Sequence, residues 1–214
     1  VVEALARSGV GELTLIDMDD ICVTNINRQL PAMSGTIGKL KTEVMSERVK
    51  LINPECTVNI IDDFISPENQ SDYLNRGYDY VIDAIDNVKT KASLIAYCKR
   101  NKINVITIGG AGGQTDPTQI QIADLSKTIQ DPLLAKVRSV LRKDYNFSQN
   151  PKRKFSIDAV FSTQPLIFPQ MTEGCSISAT MNCANGFGAA TMITATFGFF
   201  AVSRVIDKLL KKKS

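Results

Sequence analysis

The chain has 214 residues, 43% of them apolar and 22% charged, with a formal net charge of +3. That is enough apolar material for a buried core, and too little charge for nucleic-acid binding by overall charge alone, so any such role needs a local basic patch. Histidine is absent, and the cysteines at 22, 56, 98, 175 and 183 form no CxxC pair. The first excludes Ser-His-Asp and Cys-His catalysis and most zinc catalysis; the second argues against a four-cysteine zinc site and a secreted disulfide framework and suits a reducing cytoplasmic setting.

Residues 1–8, VVEALARS, read as the end of a helix stopped by Gly9 and Gly11, with Glu3 and Arg7 too charged for a signal peptide. A strand from Leu13 to Ile16 follows and ends in the acids Asp17, Asp19 and Asp20. In a dinucleotide-type βαβ unit such an acid lies about 20 residues after a glycine-rich phosphate loop, so that loop and the first strand are expected before Val1. Next come Asn25, Arg28 and Gln29 in a polar segment, then Lys39 and Lys41. Leu40–Ile52 reads as an amphipathic helix, with Leu40, Val44, Val49 and Ile52 on one face and Asn53-Pro54 stopping it. Cys56–Ile61 is a strand. Ser66-Pro67-Glu68 starts a helix that Gly77 ends.

Tyr80–Ile85 is a continuous apolar strand of the buried parallel type. Val88–Lys102 is a helix, and Asn104–Ile108 is a strand leading into GGAGG at 109–113. Gln119–Ile122 alternates as a half-exposed strand, Asp131-Pro132 opens a helix to about Lys143, and residues 146–156 form a basic polar loop. Ala159–Thr163 is a strand, 164–185 is irregular, and Gly186–Leu210 is a long last helix with a lysine tail. The alternation predicts an α/β fold with a Rossmann-like, doubly wound, mostly parallel sheet. It divides into an ATP-binding region, 1–125, and a C-terminal lobe, 126–214, in the same domain or tightly packed on it. Residues 174–203 carry no charge; their many small polar residues favour a core or interface helix, with membrane association the alternative.

Three constellations carry chemistry. Acids at a strand end followed by an arginine, an amide and a lysine suit a nucleotide: acids hold ribose or a metal, and cations hold phosphate. Asp86, just past a buried strand, is expected in the same crevice as Asp17 and Asp19, where clustered carboxylates need Mg²⁺. Asn87 fits either that site or a helix cap. GGAGG lacks the GxxxxGK[ST] pattern and reads as a turn with close backbone approach. Lys136, Arg138, Arg142, Lys143, Lys152, Arg153 and Lys154, interleaved with Tyr145, Phe147 and Phe155, suit an RNA backbone with base stacking, or simply a solvated helix face and loop. Cys183, just before the last helix, is either a reactive thiol or a plain buried cysteine. Cys22, beside the acids, is expected to be inert.

The series DMDDICVTNINRQ, GKLK and DAIDN resembles the ubiquitin-activating-enzyme-like adenylyltransferases, which include ThiF and MoeB. Within that superfamily, LIDMDDICVTN, AYCKRNKI, GGAGGQTDPTQIQIADL, KTIQDPL, VFST and GFGAATMITATFGFFAVS look like the tRNA threonylcarbamoyladenosine dehydratases over nearly the whole chain. The resemblance implies ATP and Mg²⁺ as cofactors and tRNA as substrate, with the threonyl carboxylate of modified adenosine 37 adenylated and the ureido oxygen closing a ring as AMP leaves. It assigns the ribose to Asp17 and Mg²⁺ to Asp19 and Asp86. The triphosphate falls to Asn25, Arg28, Gln29 and Lys41, with Asn87 beside it and Arg28, Lys41 and Asp86 as the catalytic set. It further implies a homodimer and a cysteine desulfurase or sulfur-acceptor partner. The absence of zinc cysteines counts against the ThiF and MoeB branches, though a sulfur-carrier adenylyltransferase and a noncatalytic nucleotide-binding scaffold are the alternatives. Relatives carry extra residues between Thr180 and Met181. An attacking carboxylate is already ionised at neutral pH, so the lack of histidine is no obstacle.

Overall fold

The structure, a computed structural model, describes residues 1–168 and 188–212. Its elements in chain order are α1 (Val2–Arg7), β1 (Glu12–Ile16), a 3₁₀ turn (Val23–Asn25), α2 (Lys41–Ile52), β2 (Thr57–Ile61), α3 (Gln70–Leu74) and β3 (Val81–Asp83). Then follow α4 (Val88–Arg100), β4 (Val105–Ile108), β5 (Ile120–Asp124), α5 (Pro132–Asp144), β6 (Asp158–Ser162) and α6 (Thr191–Lys212).

The strands form two sheets. β1 and β2 pair in parallel with Glu12 opposite Thr57 and Ile16 opposite Ile61. The second sheet has the order β3-β4-β6-β5, parallel except for β5 against β6. Period-two alternation sorts its side chains to two faces. Val105, Ala159 and Phe161 point into a cluster with Ile95, Leu134, Val137 and Leu141 of α4 and α5. Ile106 and Val160 join Ile193, Phe197, Ala201 and Val205 of α6 on the other side. Helices on both faces of a mostly parallel sheet are the doubly wound arrangement. β6, from the C-terminal region, sits between β4 and β5.

A third cluster joins Leu13 of β1, Leu5 of α1, Val49 of α2 and Val202 of α6, with Ile82 of β3 packed against it. α1 crosses α6 closely: a Cβ on Gly198 would lie 2.9 Å from the Val1 nitrogen. Among the described residues no helix is long and apolar enough to cross a membrane, and the buried Ile193, Phe197, Ala201 and Val205 account for the apolar face of α6.

Several boundaries differ from expectation. The apolar run Tyr80–Ile85 pairs only over Val81–Asp83, because the Asp83 carboxylate accepts the Ile85 amide at 3.0 Å and turns the chain out of the sheet. Ser66 does accept the Glu68 and Asn69 amides, at 3.2 and 3.4 Å, but the helix proper begins only at Gln70. α4 stops at Arg100, where Asn101 and the left-handed Lys102 (φ 57°) end it. Cys183 and the stretch around Thr180 and Met181 lie outside the described residues.

Candidate active site

The site is built at the carboxyl end of β1. Asp17 donates its amide to Ile61 at 3.4 Å, the last bond to β2, and its Oδ1 accepts the Asp19 amide at 2.9 Å. The chain then runs antiparallel to residues 38–41: Gly38 donates to Ile21, Ile21 to Lys39, and Lys41 to Asp19, at 2.9, 2.9 and 3.1 Å. Gly38 adopts φ 80°, a conformation strained for any side chain. This return brings Lys41, the first residue of α2, onto Asp19 with Nζ 2.6 Å from Oδ2. Asp19 is half exposed and Lys41 largely covered. An exposed carboxylate and a shielded cation at a helix N-terminus can face a phosphate group.

The crossover between them is pinned from within. Asn25 is buried, its Oδ1 accepts the Cys22 amide at 3.1 Å, and its carbonyl accepts the amides of Arg28 and Gln29 at 3.0 and 2.9 Å. Arg28 donates from Nη1 to the Thr24 carbonyl at 2.6 Å and to Asn27 Oδ1 at 3.1 Å. The start of α6 holds the same loop: Thr191 and Thr194 hydroxyls donate to the Asn27 and Arg28 carbonyls, both at 2.7 Å. Ile21, Ala32 and Val44 form a small core beneath it. Cys22 is exposed beside these acids, yet hydrogen bonds from the Thr24 side chain and backbone pull its thiol below the ordinary range.

Asp86 lies at the end of β3, exposed, and Asn87 caps α4 by accepting the Lys89 and Thr90 amides, both at 3.1 Å. Among the described residues no three acidic or other metal-ligating side chains are grouped to hold a metal.

Sequence reasoning missed what lies under this turn. Lys91 and Asp83 are buried, with Nζ 3.0 Å from Oδ2, and the Thr107 hydroxyl donates to the same oxygen at 2.7 Å. The signal was a lysine on the face of α4 that carries Ile95 and Cys98, four and seven residues on. The GGAGG turn is a close-approach loop as read: Asp131 Oδ2 accepts the Gly110 amide at 2.9 Å, and a Cβ on Gly109 would lie 2.0 Å from that oxygen. Burial pushes the Asp131 carboxyl up, against the opposing pull of its amide donors and Lys91.

The basic region divides. Lys136, Lys143, Lys152, Arg153 and Lys154 are exposed. Arg138 donates to the Thr128 hydroxyl, and Arg142 stacks 5.3 Å from the Phe155 ring centroid. Base stacking by Phe155 is overturned, because the ring is only 3% exposed and packs edge-on against Phe147 in the core. The loop is held by Asp124, which accepts the Phe155 and Ser156 amides at 2.9 and 2.6 Å.

Fold and site together define an α/β nucleotide-site protein with its charged groups at the carboxyl end of a parallel strand pair. The chain belongs to the ThiF family, whose model matches residues 1–214. It is 99% identical over its whole length to the tRNA threonylcarbamoyladenosine dehydratase of Haemophilus influenzae, covering 82% of that protein. It is 57% identical to the Escherichia coli enzyme of the same name over 98% of this chain and 81% of that one. The crystal structure of E. coli tRNA N6-threonylcarbamoyladenosine dehydratase, TcdA, in complex with ATP superposes with a TM-score of 0.89 at 55% identity, covering 99% of this chain and 81% of that one.

Proposed function

We propose that this chain uses ATP to dehydrate threonylcarbamoyladenosine at position 37 of tRNA to its cyclic form. The observation that carries this reading is near-identity over all 214 residues to a protein named for that reaction; the ATP complex of the E. coli relative supports the nucleotide. The threonyl carboxylate attacks the α-phosphorus of ATP, the bond to the β-phosphate oxygen breaks, and pyrophosphate leaves. The ureido oxygen then attacks the acyl carbon, AMP departs with its oxygen, and the ureido N–H proton is lost to solvent as the ring closes. Position and charge stabilisation, rather than a base, supply the rate.

In this reading Asp17 holds the ribose, while Arg28, Gln29 and Lys41 hold the triphosphate. The Asn25 side-chain Nδ2 donates no hydrogen bond among the described residues, which suits it to the same task. Mg²⁺ fits the donor set, since it binds through one or two carboxylates plus phosphate oxygens and water. Asp19 and Asp86 are exposed and would supply those carboxylates, and the ion would offset phosphate charge. Asn87 contributes by fixing the turn. The exposed lysines of α5 and the 146–156 loop take the tRNA backbone. Residues 1–125 and 126–214 act as one domain, supported by β6 between β4 and β5. Two copies associate, a reading supported by exposed Met18, Val23, Ile26, Leu30 and Met33. A cytoplasmic setting follows from the tRNA substrate, and a sulfur-transfer partner rests on family resemblance.

The test incubates the protein with ATP-Mg²⁺ and either modified tRNA or a carrier protein ending in Gly-Gly, with AMP release and nucleoside mass spectrometry as readouts. Modified tRNA is expected to drive AMP release and lose one water. Asp86→Ala and Arg28→Ala are expected to abolish AMP formation with the circular-dichroism melt unchanged; wild-type turnover in either overturns the site assignment.

A further inference from the structure

We infer that Lys91 is a positioning residue for the turn that carries Asp86, acting through its buried pair with Asp83; the link to catalysis rests on the adenylation reading above. Lys91 is 0% exposed, and its Nζ donates to the Ile85 carbonyl at 2.8 Å as well as pairing with Asp83. The other Asp83 oxygen accepts the Ile85 amide at 3.0 Å. Both backbone polar groups of Ile85 are thus held, one by each member of the pair. Thr107 of β4 locks the Asp83 carboxylate from the neighbouring strand.

Asp86 is the next residue. Its own side chain has no hydrogen bond or ion pair among the described residues, so its place is set by the backbone on either side: the Ile85 clamp before it and the Asn87 cap after it. A buried ion pair gains little stability over apolar packing of the same volume, because desolvation offsets the attraction. What this pair supplies is geometry.

The double variant Asp83→Asn/Lys91→Met removes both charges at nearly constant volume and is expected to fold. Amide hydrogen exchange over residues 84–87 should then accelerate about tenfold or more while the core helices stay protected. KM for ATP-Mg²⁺ should rise by a similar factor with tRNA affinity unchanged, whereas Lys91→Arg alone, which keeps the charge, should stay near wild type in both. A folded double variant with wild-type exchange in that turn overturns the clamp. If the double variant does not fold, Thr107→Val decides: faster exchange at 84–87 supports the clamp, and unchanged exchange overturns it. Faster exchange with unaltered KM overturns the catalytic link alone. Absence of AMP release by the wild type instead defeats the adenylation reading and leaves the exchange result standing.

Discussion

Gly109→Ala tests whether the glycine loop depends on its packing against α5. The new Cβ would sit 2.0 Å from Asp131 Oδ2 and 3.1 Å from Leu134 Cδ1. The leucine can give by a few tenths of an ångström; the carboxylate must retreat by more than about 1 Å to reach ordinary van der Waals separation. That retreat breaks the 2.9 Å bond to the Gly110 amide and strains the 2.8 Å cap on the Leu134 amide. A stranded buried amide costs about 1–3 kcal/mol and a lost N-cap about 1 kcal/mol, giving an expected destabilisation of about 2–4 kcal/mol. Urea denaturation of Gly109→Ala, Asp131→Ala and the double variant measures it. With the carboxylate gone the clash is gone, so Gly109→Ala should cost under about 1 kcal/mol in the Asp131→Ala background. Equal costs in both backgrounds would refute the reasoning.

Two further predictions follow from charge. Neutralising Lys152, Arg153 and Lys154 together should weaken tRNA binding and flatten its dependence on salt by about 0.7–0.9 in logarithmic slope for each phosphate that is no longer neutralised, read by filter binding over a salt series; an unchanged slope moves the RNA site elsewhere. Glu3 links α1 to α2, its carboxylate 2.6 Å from Arg48 and 2.9 Å from Arg7, and hydrogen bonding to Arg48 holds its pKa below the ordinary 4.5. A lowered folded value means that its stabilisation is fully present above the unfolded pKa and is lost as pH falls through the folded one. Glu3→Gln should therefore lower the denaturation midpoint at neutral pH and converge with wild type in acid, and parallel pH curves would remove Glu3 from the account.

Much of the fold was legible because its strands are short apolar runs separated by strong boundary signals, such as Asn53-Pro54 ending one helix and Asp131-Pro132 starting another. The end of β3 was not, because an apolar run cannot reveal that Asp83 will turn back to take the Ile85 amide. The basic region misled for a similar reason: its aromatics read as ligand-facing, yet Phe155 is drawn inward when Asp124 fixes the loop backbone behind it. Lys91 went unread because a lysine is presumed solvated unless its partner, eight residues back on another element, is already known.

By itself the sequence determined the strand-helix order, the run of acid, amide, arginine and lysine through Asp17–Lys41, and the resemblance these residues carry, all of which are local patterns or spacings. Tertiary structure alone decided that Lys41 meets Asp19 and that a buried Lys91–Asp83 pair underlies the Asp86 turn. Those outcomes depend on which strand ends become neighbours and which charges are removed from water together, and neither is a property of any single stretch of chain.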